Sequence, residues 1–449
     1  MASSNSDDYD AIENGAVYES RRERVYAALG DHAALIVAAT PEVVIGRDTE
    51  TRYLVDPELF YLTGYREPEA VAVLCPSREH RFTLFVRPRD QARERWTGLR
   101  GGVDAATARF AADAAHPIDQ LPQQLPRIVA GVNTLYARFD SGRPRLEALL
   151  KRIWSDGRRL RARTGRGPTT MVDPGVLLDD VRLIKDPHEI AALRTAARIS
   201  AEAFVEAAAL IRPGTGEWVI EAALEAGFRS RGADGFAFPS IVASAANATT
   251  LHYVANERVM NAGELVLIDA GARYRMYCGD ISRTFPVNGR FTVQQRALYQ
   301  AVLRAHDAAV AAVQPGRTIQ EVHEAARHEL VTYLETLGLL KLPLDEPIDE
   351  AESLKRFVPH KTSHWLGLEV HDVGTYVVNG ESRRLEPGMV LTIEPGLYIP
   401  ADTEGVAPGF AGLGVRIEDD VLVTAAGHDV LTAGLPTAPD EVEALLRKG

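Results

Sequence analysis

Thirteen residues, "HKTSHWLGLEVHD" at positions 360–372, gather three histidines, a lysine and two acids around one tryptophan. Imidazoles and carboxylates at that density serve as metal ligands, as proton carriers, or simply as a polar loop. His360 and His364 have the spacing of a zinc-protease helix, but Lys361 stands where HExxH needs its general-base glutamate. Gly367 and the short polar residues argue against one continuous helix. If these histidines serve a metal, its other ligands come from elsewhere in the chain.

Four acids are candidates. "ELVLIDAGARYRMYCGDISRTF" reads as a strand, a turn region and a returning strand. Asp269 ends the apolar run and Asp280 follows eleven residues later, so a hairpin could set them side by side. Further on, "MVLTIEPGLY" carries Glu394 and "GVRIEDDVLV" carries Glu418, again inside strand patterns that are otherwise apolar. A carboxylate is seldom buried unless it is paired or bound to a metal. Four that converge repel one another and raise their pKa values, unless cations of matching charge sit between them; two divalent ions supply that charge. Each acid has a plainer reading when taken singly. A strand-end acid before Gly or Pro is often a turn residue bonded to the backbone, and Glu418 beside Asp419 and Asp420 could be an acidic rim. The set carries the metal reading.

The elements that must position these residues divide the chain. At 449 residues it is too long for one compact core, so two domains are expected. Short strands are expected at 33–40, 70–76 and 81–88, with helices at 104–114 and 143–156, which makes the first part a mixed α/β unit. "RTGRGPTTMVDPG" (163–175) breaks the periodicity and reads as the linker. Beyond it a long helix opens with Asp186 as N-cap, Pro187 at the first helical position and Glu189 three residues after the cap. "IRPGTGEWVIEAAL" (211–224) and "VQPGRTIQEVHEAA" (313–326) each close one helix and open another. That echo implies two similar halves with a cleft between them.

Composition excludes several classes. A formal charge of −12 speaks against nucleic acid or an anionic membrane as main partner, and no apolar run has the length of a membrane span. "MASSNSDDYD" is acidic where a signal peptide is basic and then apolar. Two cysteines, Cys75 and Cys278, allow one bridge at most, so a reducing cytoplasm is the expected location. There is no CxxC, no Walker sequence and no glycine fingerprint after a strand, which leaves redox and phosphate chemistry without support.

In order and spacing, "LIDAG…YCGDISRTF", "SHWLGLEVHDVG", "TIEPGLY" and "VRIEDD" resemble the ligand motifs of the pita-bread metallopeptidases, the family of methionine aminopeptidase, prolidase and aminopeptidase P. "FYLTGYREPEAVAVL" (60–74) and "RERWTG" (93–98) look like the creatinase-type domain that precedes the catalytic domain in aminopeptidase P and prolidase. The resemblance implies an α/β (α+β) fold: a creatinase-like domain over 1–175, then a pseudo-symmetric pita-bread domain over 176–449. It implies a ligand set of Asp269, Asp280, His364, Glu394 and Glu418 holding two divalent ions, with Asp280 and Glu418 bridging. Hard carboxylates with one imidazole suit Mn²⁺, and Zn²⁺ or Co²⁺ would also bind. Such a pair lies about 3.5–4 Å apart and yields a hydroxide nucleophile at neutral pH. By the same resemblance Glu394 shuttles the proton, His252 reaches the scissile amide, and His371 contacts the substrate carbonyl. His360 walls a proline pocket and Arg416 reaches a downstream carbonyl or carboxylate, although an Arg beside two acids is more often only their ion-pair partner. Trp96 matches a tryptophan that enters a neighbouring subunit's site, which would make the protein a homo-oligomer, dimer or tetramer.

The wording of the motifs is nearer aminopeptidase P than prolidase. The expected reaction is removal of the residue preceding proline in a peptide, with Xaa-Pro dipeptide hydrolysis and a catalytically inactive binding homologue as the alternatives. The X–Pro bond is a tertiary amide without an N–H, so its cleavage needs a dedicated pocket. One position departs from the family pattern: Lys361 replaces the glycine that commonly follows the first histidine. A long cation there either binds a substrate carboxylate, favouring short substrates, or swings to solvent.

Overall fold

In the computed structural model, residues 15–139, 142–340 and 352–447 are described. The chain forms two compact units, Met1–Val181 and Arg182–Gly449.

The first unit is built on a six-stranded mixed sheet. Its order is Ala114–Pro117, Phe82–Val86, Val71–Leu74, Ala33–Ala38, Thr134–Tyr136, Thr170–Val172. The three strands read from the sequence form its antiparallel centre, and parallel strands flank them. Their runs of Ala, Leu, Ile, Val and Phe are buried throughout, as befits strands covered on both faces. Two expectations are corrected. The helix expected at 104–114 runs only from Gly102 to Ala108; Ala111 takes a left-handed φ of 51°, and Ala114–Pro117 pairs with the sheet instead. The segment read as a linker, 163–175, belongs to this unit. The helix expected at 143–156 continues from Pro144 to Thr164 and ends on left-handed Gly165. Gly167 then passes so close to the Gly157 carbonyl that a Cβ would lie 2.7 Å from its oxygen, and Thr170–Val172 joins the sheet. Its glycines serve a tight return, which composition alone does not separate from a flexible tether.

The second unit repeats one arrangement. In its first half, helices Pro187–Ala208 and Glu217–Ser230 accompany a sheet ordered Ile241–Ser244, Leu265–Ala270, Ile281–Pro286. In its second half, helices Val293–Ala312 and Ile319–Thr336 accompany a sheet ordered Val390–Ile393, Asp419–Thr424, Gly427–Val430. The Pro-Gly turns seen in the sequence open both second helices, with Gly214 and Gly316 at φ 90° and 85°. Three of the four helices begin with a capping box, at Asp186–Glu189, Thr292–Gln295 and Thr318–Glu321. One hydrophobic core runs through both halves, from Phe204 and Ile268 to Trp365, Leu391 and Val421.

A buried charge cluster ties the halves together. Arg283, fully buried, gives Nη2 to Asp419 Oδ1 at 2.7 Å and to the Leu435 carbonyl at 2.9 Å, and Nη1 to the Glu418 carbonyl at 2.5 Å. Thr432 Oγ1 donates to Asp419 Oδ1 at 2.6 Å, and His306 Nε2 lies 3.0 Å from Asp419 Oδ2. Burial opposes a charge on His306, yet its contacts with Asp307 and Asp419 win and raise its pKa. A raised histidine pKa stabilises the fold fully below the unfolded value of about 6.5, and that contribution is lost as pH rises through the folded value. Melting temperature is therefore expected to decline above about pH 6.5 in a component absent from a His306→Gln variant. Parallel pH profiles for the two proteins would refute this.

Candidate metal centre

Each half places its two acids at the ends of paired strands. Asp269 lies in Leu265–Ala270 opposite Ser282, and Asp280 immediately precedes Ile281–Pro286. A small hairpin, Ala272–Tyr274 with Tyr277–Cys278, fills the interval between the acids, turning through Arg275 and Met276 at positive φ. In the second half Glu394 immediately follows Val390–Ile393 and Glu418 immediately precedes Asp419–Thr424, whose residue Asp419 pairs with Ile393. The acids thus sit where the ladders break, at Glu394–Pro395 and Ile417–Glu418. Gly271 is required here: a Cβ would fall 1.6 Å from the Gly279 carbonyl oxygen, so the two acid-bearing backbones could not meet. Glu418 N donates to Ser282 O at 3.0 Å, joining one half's acid to the other half's strand.

His364 is delivered by a non-helical segment stitched to the second sheet. Thr392 N donates to His364 O at 2.9 Å, His364 N donates to Thr392 Oγ1 at 3.1 Å, and Glu394 N donates to Thr362 O at 2.8 Å. The structure brings Asp269, Asp280, His364, Glu394 and Glu418 to one cavity of about 400 Å³. Asp280, His364 and Glu418 each offer a ligand atom, all within 4.8 Å of one another. His364 Nε2 is 3.5 Å from Asp280 Oδ2 and 3.6 Å from Glu394 Oε1. Asp269 reaches the group differently, with Oδ2 held by Arg416 Nη2 at 2.6 Å. Asp269 Oδ1 and Asp280 Oδ1 are buried with no hydrogen-bond partner among the described residues. Buried carboxylate oxygens without a donor are the atoms a cation satisfies. Four carboxylates and one imidazole without thiolate therefore fit hard or borderline divalent ions.

The electrostatics agree. Burial, then the charges of Asp269, Asp420 and Glu394, hold the Asp280 carboxyl well above the usual carboxylate range. Burial, then Asp280, Asp269 and Glu394, do the same to Glu418, and burial raises Glu394. A protein that gathers its acids at such cost is arranged for positive charge from outside the chain.

The remaining expected residues take the following positions. His252 and His371 are exposed on the cavity wall, and the His371 ring meets His364 edge-on at 4.4 Å between centroids. Burial first, and then His364 and His252, push the His371 pKa down. His360 lines the same cavity; burial, then Arg416, bring its pKa to about 4, so the ring is neutral. Its Nδ1 lies 2.8 Å from the Lys361 carbonyl and so carries the proton, which leaves Nε2 to accept from the Tyr398 hydroxyl at 2.8 Å. Arg416 is buried, with Nη1 on Tyr398, Nε on Ser282 Oγ and Nη2 on Asp269. Three of its five N–H donors are thus held by the protein while the side chain still lines the cavity, and the ion pair it makes is with Asp269 rather than its neighbours Asp419 and Asp420. Trp96 lies in the other unit, on helix Gln91–Thr97, and is 89% exposed.

Supporting residues escaped the sequence reading. Glu217, fully buried at a helix start, accepts from Ser244 N at 2.7 Å, Tyr253 OH at 2.9 Å and Arg258 N at 2.8 Å, and so fastens the loop that carries His252. Asn256 clamps the same loop to Val242 and Ser240. Behind His371, Asp372 is buried between Arg182 Nη2 at 2.6 Å and Lys185 Nζ at 3.0 Å. The one signal for Glu217 was its place at the start of the repeated helix.

The fold and the site are those of a two-domain metallopeptidase. Residues 191–425 match metallopeptidase family M24, and residues 18–136 match the aminopeptidase P N-terminal domain. The Xaa-Pro aminopeptidase of Escherichia coli (strain K12) is 39% identical over 434 residues, covering 96% of this chain and 97% of that one. A solved aminopeptidase structure from Pseudomonas aeruginosa aligns with TM-score 0.91 at 42% identity, covering 97% of this chain and 98% of the other. Zinc-substituted E. coli aminopeptidase P in complex with product aligns with TM-score 0.90 at 39% identity, covering 97% and 98%. This chain belongs to metallopeptidase family M24, in its aminopeptidase P and prolidase group.

Proposed function

We propose that the chain is a metal-dependent Xaa-Pro aminopeptidase that releases the residue before proline from peptides. The observation that carries this reading is the convergence of Asp269, Asp280, His364, Glu394 and Glu418 in one cavity. Full-length similarity to Xaa-Pro aminopeptidases supports it. Those five side chains would hold two divalent ions, Mn²⁺ being our choice on ligand hardness, with Zn²⁺ or Co²⁺ as alternatives. When bound, the ions supply a Lewis acid and a water acidified toward neutrality.

The chain's own groups do the rest. The substrate's amino terminus lies toward the acid-lined end of the cavity. Glu394 takes the proton of the attacking water and returns it to the leaving nitrogen. His371 donates toward the substrate carbonyl as charge develops, and His252 faces the scissile amide. Phe238, Pro239, Ile241, Leu251, Val254 and Val370 make the apolar share of the lining, and His360 completes the wall against the ring of proline. Arg416 holds Asp269 in place. Trp96, exposed on its helix, is assigned to the site of a neighbouring copy in a dimer or tetramer. Cytoplasmic residence accords with two free buried cysteines, and among the described residues no helix is long and apolar enough to cross a membrane.

Hydrolysis of Xaa-Pro and Xaa-Pro-Xaa peptides, after chelation and again after metal return, tests the proposal. Tripeptide cleavage restored by Mn²⁺ is expected. Cleavage confined to dipeptides would make the enzyme a prolidase, and fewer than one ion retained per chain would make it a non-catalytic homologue. A sedimentation mass of one chain would remove the role given to Trp96.

A further inference from the structure

A second cavity, about 130 Å³, shares His360 with the first in its lining. Its polar lining is His323, Arg327, Lys355, His360 and Lys361, with no carboxylate among the described residues. In a chain of net charge −12, a concavity lined by three cationic side chains and two imidazoles is an anion site in the making. His323 is committed to Thr362 Oγ1 at 2.8 Å, and Arg327 and Lys355 have interactions of their own. Lys361 is exposed, and its ammonium has no hydrogen bond or ion pair among the described residues.

We infer that this cavity is a subsite for a carboxylate on the part of the peptide that follows proline, with Lys361 as its mobile cation. This rests on the peptidase reading above. The direction of the substrate supports it. On the peptidase reading the amino end lies toward the acids and the ring of proline against His360, and His360 is the residue that the two cavities share. With the acids balanced by the ions they would hold, the net positive lining of the second cavity is the charge left to meet a peptide's carboxyl end.

The test compares Ala-Pro-Ala as free acid and as amide, and amidated Ala-Pro-Glu, on the metal-supplied enzyme and on Lys361→Gln and Lys361→Arg variants. The free acid is expected to show a KM lower than its amide by about threefold to fivefold, the range of an exposed ion pair. Lys361→Gln shrinks that difference and Lys361→Arg keeps it. A gain confined to the glutamate peptide supports the same subsite filled by a side chain. Equal KM values for acid and both amides, or a full preference retained in Lys361→Gln, overturns the inference. Calorimetric binding of the same peptides reads the carboxylate contact without turnover. Preference in binding without cleavage counts against the peptidase reading alone; equal binding counts against the subsite alone.

Discussion

Replacing Glu418 by glutamine is expected to cut peptide hydrolysis at least about a hundredfold while making the metal-free protein more stable. Outer-shell partners of metal sites commonly cost about 10- to 100-fold when removed, and Glu418 stands among the candidate ligands themselves. The stability gain follows from the field around this side chain, which is 2% exposed and faces Asp280, Asp269 and Glu394. Glutamine keeps the shape and an oxygen for Ser282 Oγ, now 2.9 Å from Glu418 Oε2, and removes one charge from a crowded set. Divalent ions should reverse the order. At a hundred times Kd a ligand stabilises by about 2.7 kcal/mol, a gain the variant largely forgoes. Melting curves with chelator and with Mn²⁺, beside rates on one peptide, measure both effects. A variant within tenfold of native activity, or less stable than the native chain under chelation, would show that Glu418 has another task.

Asp372→Ala has the largest expected effect on folding. Lys185 is fully buried, its ammonium has no partner but Asp372 among the described residues, and Arg182 is 1% exposed on the same carboxylate. Truncating the acid strands Lys185 and leaves Arg182 only its half-exposed partner Glu369 on that nitrogen, and breaking a buried pair in this way costs about 3–5 kcal/mol. Asp372 also fixes its surroundings. Gly367 allows its approach, since a Cβ there would lie 2.0 Å from Oδ2, and the Gly367 carbonyl accepts from Cys278 N at 2.8 Å, two residues from Asp280. Activity should therefore fall with stability, because His371 is the preceding residue. Urea unfolding of the two proteins decides the matter. A loss under about 1 kcal/mol would mean that the cations find water or other partners easily.

The chemistry was more legible than its supports. An acid that interrupts an apolar strand run is an anomaly visible in one dimension, and Asp269, Asp280, Glu394 and Glu418 announced themselves in that way. His364 was separable from its neighbours only through family resemblance, since spacing alone treated three histidines alike. Lys185 and Asp372 meet across 187 residues, and Glu217 serves a loop that begins at Ser244; nothing local marks either partnership. Boundaries failed where tertiary pairing overrode local preference. Alanine-rich 104–114 reads as helix, yet its end strengthens a sheet edge. The glycines and prolines of 163–175 read as a tether, yet they let a strand return beside Thr134–Tyr136.

The placement of Arg283 ties the site to a part of the chain that no ligand motif includes. Its guanidinium draws on carbonyls at Leu435 and Pro436 as well as at Glu418. Without those two carbonyls Arg283 would keep only Ser282 O, Glu418 O and Asp419 Oδ1 as acceptors. A segment that touches no candidate ligand thus braces the strand that Glu418 precedes, and shortening the chain before Leu435 would loosen that strand.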